Sequence, residues 1–279
     1  MERIHTSLYK TDRHMILKER IIDGELSDQI NRFLYVKAKS DEVPEVQLLP
    51  TGYIYYTLIL GERGKFCRNS ECTELPRHFI GGQINAPGIF LRPHKNYIHF
   101  GIEFKPWALH EWIGLDIEHA ENSFIKPKNE FFDLINNVLE SEPFNFENSC
   151  NQLEQLLIAH KKPKRTPLSQ TIRLITSKKG KVTIDELAEI AGFSKRHFRR
   201  KFKRAFGISP KAYSKTVQFN SALAILAKND RSINLDLAFE GGYYDEAHFV
   251  NKFKELVGCS PAHFLEKPDT FLETYLLRN

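Results

Sequence analysis

GFSKRHFRRKFKRAFGISPKAY, residues 192–213, and GYYDEAHFVNKFKELVGCSPAHF, residues 242–264, are two versions of one unit. His197-Phe198 lines up with His248-Phe249, Phe202 with Phe253, Gly207 with Gly258, Ser209-Pro210 with Ser260-Pro261 and Tyr213 with Phe264, all at an offset of 51. Upstream, Leu187-Ala188 lines up with Leu237-Ala238 at an offset of 50, so the second copy carries one extra residue in its turn. Internal repetition at this spacing is the signature of a duplicated supersecondary element.

The first copy reads as helix, glycine turn, helix. Thr183 followed by Glu186 is a capping-box pattern that predicts a helix from Ile184. Leu187, Ala188 and Ala191 give that helix a small apolar face, and Gly192 supplies the left-handed backbone that ends it. Ser194 then caps a second helix. This is the helix-turn-helix arrangement. On a wheel of about 100° per residue, Phe198, Phe202, Ala205 and Phe206 gather on one side and Arg196, Arg199, Arg200 and Lys203 on the other. From Lys195 to Arg204 there are seven positive charges and no acidic residue. A merely solvated helix mixes both signs. A one-signed comb on an anchored helix suits the major groove of duplex DNA, where guanidinium groups match phosphates and the acceptor pair of guanine.

The second copy buries Phe249, Phe253 and Leu256 and presents Glu246, Ala247, Val250, Asn251 and Lys254. It carries less charge for raw affinity, but Asn suits adenine, and Ala or Val suits the methyl of thymine. Ser209-Pro210 opens a further helix through residues 211–229 that joins the units. Two recognition helices so joined are expected to enter major-groove segments about 34 Å apart.

The C-terminal hundred or so residues resemble the DNA-binding domain of the AraC/XylS family of bacterial transcription regulators. The resemblance rests on TIDELAEIAGFSKRHFRRKFKRAFGISPKAY, the helix ending SALAIL, and LAFEGGYYDEAHFVNKFKELVGCSPAHF. It implies base-side roles for Arg196, Arg199 and Arg200 in the first unit and for Glu246, Ala247, Val250 and Asn251 in the second. The family commonly has an Arg where Gln218 stands here. Members typically carry an N-terminal, often cupin-like β-domain that binds a small effector or dimerises.

Charge divides the chain in the same place. Residues 161–279 hold 23 Lys+Arg and 12 Asp+Glu, a net of +11, while residues 1–160 hold 17 and 23, a net of −6. A basic half points to a polyanionic partner for that half. KKPKRTP, 161–167, reads as a solvated connector, giving domains at 1–160 and 168–279, with helix-turn-helix units at about 183–206 and 233–257. Between residues 46 and 104, VQLLP, YIYYTLILG, HFIGGQI, GIFLRP and YIHFGIEF read as short strands of a sandwich or barrel. PWALHEWIG, EFFDLINNVLE and FENSCNQLEQLLIAH then read as helices. The fold class expected is α+β: a β-rich, cupin-like or barrel-like domain followed by helices, then an all-α domain with two helix-turn-helix units joined by a long helix.

No run of about 18 apolar residues offers a membrane span, and the charged start MERIHTSLYKTDRHMILKER is unlike a secretory signal. A cytoplasmic protein is expected, with Cys67, Cys72, Cys150 and Cys259 as free thiols. His94 and His99 lack the further ligands of a metal site, and Cys67 and Cys72 lack the cluster of a DNA-repair methyltransferase. No cofactor, no metal and no enzymatic activity are expected. Trp107, His110 and Trp112 read as packing between helix and sheet, with an aromatic pocket as the alternative. Double-stranded DNA is the expected partner. Two readings of the N-terminal half stay open: a domain answering to a small-molecule effector, or one serving only protein–protein contact. For the second, Phe146, Leu153, Leu156, Leu157 and Ile158 form a stripe that suits a homodimer or plain core. RNA polymerase is a further candidate partner.

Overall fold

The computed structural model describes residues 6–9, 15–39, 43–160, 165–228 and 243–266. Eleven strands are described: β1 (Thr6–Tyr9), β2 (Met15–Ile21), β3 (Ile30–Ala38), β4 (Val46–Gln47), β5 (Ile54–Ile59), β6 (Lys65–Arg68), β7 (Glu71–Glu74), β8 (His78–Gly81), β9 (Ile89–Arg92), β10 (Ile98–Phe104) and β11 (Phe124–Ile125). They form a seven-stranded antiparallel sheet in the order β1-β2-β3-β10-β5-β8-β11 and a four-stranded one in the order β4-β9-β6-β7. Helix α1 (Ala108–Ile113) follows β10, and α2 (Glu130–Leu139) and α3 (Phe146–His160) follow β11.

Side-chain alternation explains the layering, since successive strand residues point to opposite faces. In β5, Ile54, Tyr56 and Leu58 join Phe100, Ile102 and Phe104 of β10 in a core against Phe132, Ile135, Phe146, Leu153 and Leu157 of α2 and α3. The intervening residues of the large sheet face the small sheet instead. Helices, large sheet and small sheet thus make three layers. The apolar stripe of α3 goes into this core at Phe146, Leu153 and Leu157, with Leu156 half-buried and Ile158 exposed. Trp112 packs edge-on against Phe104 and Phe131, and Trp107 is buried among helices of the C-terminal part, which is packing rather than an aromatic pocket.

The thiol expectation is corrected at one pair. Cys67 and Cys72 are directly opposed in the β6–β7 hairpin and joined by a disulfide, while Cys150 and Cys259 are free. The hairpin turns through Asn69 and Ser70, both at positive φ, as a two-residue turn of the hand that matches strand twist requires.

The described residues beyond 164 are helical: α4 (Pro167–Ser177), α5 (Ile184–Ile190), α6 (Lys195–Phe206), α7 (Pro210–Lys228), α8 (Glu246–Val257) and α9 (Pro261–Glu266). Thr166 caps α4 with a reciprocal box, so this helix begins one residue inside the expected connector. Gly180 sits at φ +77°, where a Cβ would lie 2.4 Å from the carbonyl oxygen of Ser214; only glycine lets the α4–α5 loop lie so close to α7. The first helix of the second unit falls outside the described residues. Among the described residues no helix is long and apolar enough to cross a membrane.

Candidate nucleic-acid interface

The first unit is built by local signals. The side chain of Thr183 accepts from the backbone N–H of Glu186, Gly192 takes φ +68° in the turn, and the side chain of Ser194 accepts from the N–H of His197. Phe198, Phe202 and Phe206 of α6 are fully buried, with ring centroids 5.6 Å and 4.7 Å apart in sequence. They pack with Ile172 and Ile175 of α4, Leu187 and Ala188 of α5, and Tyr213 of α7. Burying each phenylalanine contributes about 2 kcal/mol, enough to fix the rotation of α6 about its axis.

That rotation places Arg196, Arg199 and Arg200 on the exposed face, where they form no ion pair with a described residue. The neighbouring cations are engaged. Lys195 pairs with Asp185 at 2.7 Å, and Lys201 lies 5.7 Å from the ring centroid of Phe193. Lys203 pairs at 2.9 Å with Glu121, and Arg204 pairs with Asp116, both acids belonging to the β-domain. Although partial burial alone would raise it, hydrogen bonds from Lys203 and Asn85 hold the Glu121 carboxyl below its usual range. The backbone joins the same contact, with Ile117 N–H donating to the carbonyl of Arg204. The comb is therefore divided: three free arginines at its N-terminal end, two tethered cations at its C-terminal end.

In α8, Asp245 accepts from the N–H of His248 as a cap, and Phe249, Phe253, Leu256 and Val257 are buried with Phe219, Ala222 and Leu223 of α7. Glu246, Ala247, Asn251 and Lys254 are exposed, whereas Val250 is half-buried against that cluster. Tyr244, 81% exposed just ahead of the cap, is a further contact candidate that the pattern of apolar spacing did not single out. Gln218, in the linking helix, packs against Gly180.

The β-domain grips both units. Arg173 of α4 makes a two-pronged contact with Glu111 at 2.9 and 3.1 Å, reaches Asp28 at 2.9 Å and stacks 4.4 Å from the ring centroid of Trp107. The ring of His110 lies 5.8 Å from that of Phe206, and burial lowers its pKa. On the second unit, Leu49 is buried in the core of α7 and α8, Gln47 Nε2 donates to the carbonyl of Val257 at 2.7 Å, and Asn220 Nδ2 donates to that of Thr51 at 2.8 Å. His94 pairs with Glu62 at the surface, while His99 lies inside the sandwich, so the structure does not bring these two histidines together. Among the described residues no cluster of three or more His, Cys, Asp or Glu could hold a metal ion.

A helix-turn-helix with an anchored, basic second helix defines a protein of the DNA-binding class. The sequence comparisons agree. A helix-turn-helix domain family matches residues 187–267. A probable transcription factor, PqrA of Proteus vulgaris, is 35% identical over 92 residues, which is 32% of this chain and 75% of that protein. An HTH-type transcriptional regulator of Haemophilus influenzae is 28% identical over 168 residues, 60% of this chain and 55% of its own length, so the chain spans about half of that relative. ToxT of Vibrio cholerae is similar in structure at a TM-score of 0.48 and 9% identity, over 84% of this chain and 98% of ToxT. The chain belongs to the AraC/XylS family of transcription regulators.

Proposed function

We propose that the chain is an effector-responsive transcription regulator that binds duplex DNA with two recognition helices, α6 and α8, in successive major-groove segments. Arg196, Arg199 and Arg200 supply phosphate and guanine contacts from α6, and Lys203 adds charge once released from Glu121. Glu246, Ala247, Asn251 and Lys254, with the exposed edge of Val250, read the second segment. The observation that carries this reading is the free triplet of arginines on a helix whose opposite face is locked by three buried phenylalanines. Such a surface has fixed pitch and a single sign of charge, which is what a polyanion of regular geometry selects.

The control assigned to the β-domain is supported by its contacts with both units and by an internal cavity of about 170 Å³ between its sheets. Of the two readings left open by the sequence, this cavity favours an effector over a domain for protein contact alone. The test is selection of bound fragments from random duplexes, repeated with Arg199→Ala. A guanine-reading Arg199 predicts a loss of roughly 1–3 kcal/mol at the selected site and relaxed choice at one base pair. An unchanged selected sequence with unchanged affinity would remove Arg199 from the contact face.

A further inference from the structure

The cavity between the two sheets has a definite chemistry. Its wall includes Leu34 and Val36 of β3, Phe66 of β6, Phe79 of β8, Leu91 of β9 and Phe124 of β11. Among the described residues no Lys, Arg, Asp or Glu lines it. His99 of β10 also lines it, and its ring makes no hydrogen bond to a described residue. Burial pushes the His99 imidazole down to about 4, so it is neutral at physiological pH and offers one donor and one acceptor nitrogen. Thr51, Tyr55, Thr57 and Ser123 bring hydroxyls to the wall, and that of Tyr55 is engaged with Thr51 and Glu103.

Size and polarity together select a ligand. An apolar cavity of about 150 Å³ takes up benzene, so about 170 Å³ accommodates one ring with one or two small substituents. A carboxylate or ammonium here would lose its hydration with no opposite charge to pair with, at a cost of several kcal/mol. A sugar of the same volume would bring four or five hydroxyls, each both donor and acceptor, to a wall where Gln47, Thr51 and Tyr55 are engaged elsewhere and His99, Thr57 and Ser123 remain to receive them, at about 1–3 kcal/mol for each left unpaired.

One stretch of the wall has a second face. Gln47, Leu49 and Thr51 line the cavity, and the same three residues touch the linking helix α7 or the recognition helix α8. Gln47 holds Val257, the last residue of the recognition helix α8. A molecule that displaces this stretch displaces the seat of α8.

We infer that the cavity is a binding site for a compact, uncharged, largely apolar molecule of about one substituted ring with a single hydrogen-bonding group, and that residues 47–51 pass its occupancy to α8. The inference rests on the effector-responsive reading and narrows it to a ligand class and a route. The test uses the full chain, with p-cresol, benzyl alcohol and indole as uncharged probes, and benzoate and glucose as charged and polyhydroxylated ones. At saturating concentration at least one uncharged probe raises the unfolding midpoint by several degrees and changes duplex affinity at least threefold, while benzoate and glucose do neither. Leu34→Trp, or Leu91→Phe should the first variant fail to fold, fills the cavity and abolishes the midpoint shift. Asn220→Ala, outside the cavity, keeps the midpoint shift and weakens the change in duplex affinity. A shift from benzoate or glucose that the filled cavity removes would overturn the ligand class and leave an effector site in place. No shift from any probe would overturn the class and the effector reading together. An undiminished DNA response in Asn220→Ala would overturn the route.

Discussion

Neutralising Asp116 and Glu121 tests whether the β-domain restrains the recognition helix. In the double variant Asp116→Asn, Glu121→Gln, Lys203 and Arg204 lose their partners while α6 keeps every buried contact. The side chains of Lys203 and Arg204 are 44% and 67% exposed and those of their partners 30% and 32%, so each pair contributes about 0.2–1 kcal/mol after solvent screening. Releasing both removes at most about 2 kcal/mol from the docked state, an upper bound of roughly thirtyfold in duplex affinity. Two additional phosphate contacts would steepen the dependence of log K on log salt by about 2. The assay is fluorescence anisotropy of the full chain on a labelled duplex of arbitrary sequence across a potassium chloride series. The restraint predicts tighter binding at low salt, a steeper slope and an unfolding midpoint lowered by only a few degrees. Identical slopes in parent and variant would refute it, because the two cations would then contribute equally whether or not the acids hold them.

Other expectations concern the scaffold. Phe202→Ala leaves a cavity in the centre of the first unit and costs about 3–5 kcal/mol, read as a fall in the denaturant midpoint; a loss under 1 kcal/mol would mean that the aromatic ladder is not the anchor. His99 gives a pH signature. Its unfolded value is about 6.5 and burial lowers the folded value to about 4, so the unfolded chain takes up the proton first. Stability is then complete above about pH 6.5 and falls as pH drops toward 4, by up to about 3 kcal/mol. The adjacent Tyr97, its ring 5.2 Å from that of His99, is held neutral by a phenol pushed up on burial and adds nothing in that window. His99→Gln flattens the slope between pH 6.5 and 4 in urea titrations; an unaltered slope would place the titration elsewhere.

What was legible in the sequence is what neighbours along the chain decide. Thr183, Ser194 and Gly192 each act within three residues, and Phe198, Phe202 and Phe206 declare a helix face by spacing alone, so the first unit emerged with its caps in place. Strands β5, β8, β9 and β10 were legible as dense β-branched and aromatic runs between turn residues. The β6–β7 hairpin was not. β7 is exposed along its whole length, so no alternation of apolar residues marks it, and the bridge between Cys67 and Cys72 was hidden with it. Pairings across the fold were equally silent: Asp116 lies 88 residues from Arg204, and nothing local to either points to the other. The charge asymmetry between halves was visible, but part of its meaning was not. Asp28, Glu111, Asp116 and Glu121 of the acidic half pair with Arg173, Lys203 and Arg204 of the basic half, so the β-domain itself answers some of the positive charge.

The salt dependence of duplex binding by the triple variant Arg196→Ala, Arg199→Ala, Arg200→Ala, set beside Asn251→Ala, Lys254→Ala, bears most directly on the whole account. If α6 carries the electrostatic grip, the triple variant flattens the slope of log K against log salt by about 2–3 and the pair in α8 by about 1 or less. Equal slopes for the two variants, or a parent-like slope for the triple variant, would mean that the anchored arginine comb is not where this protein meets DNA.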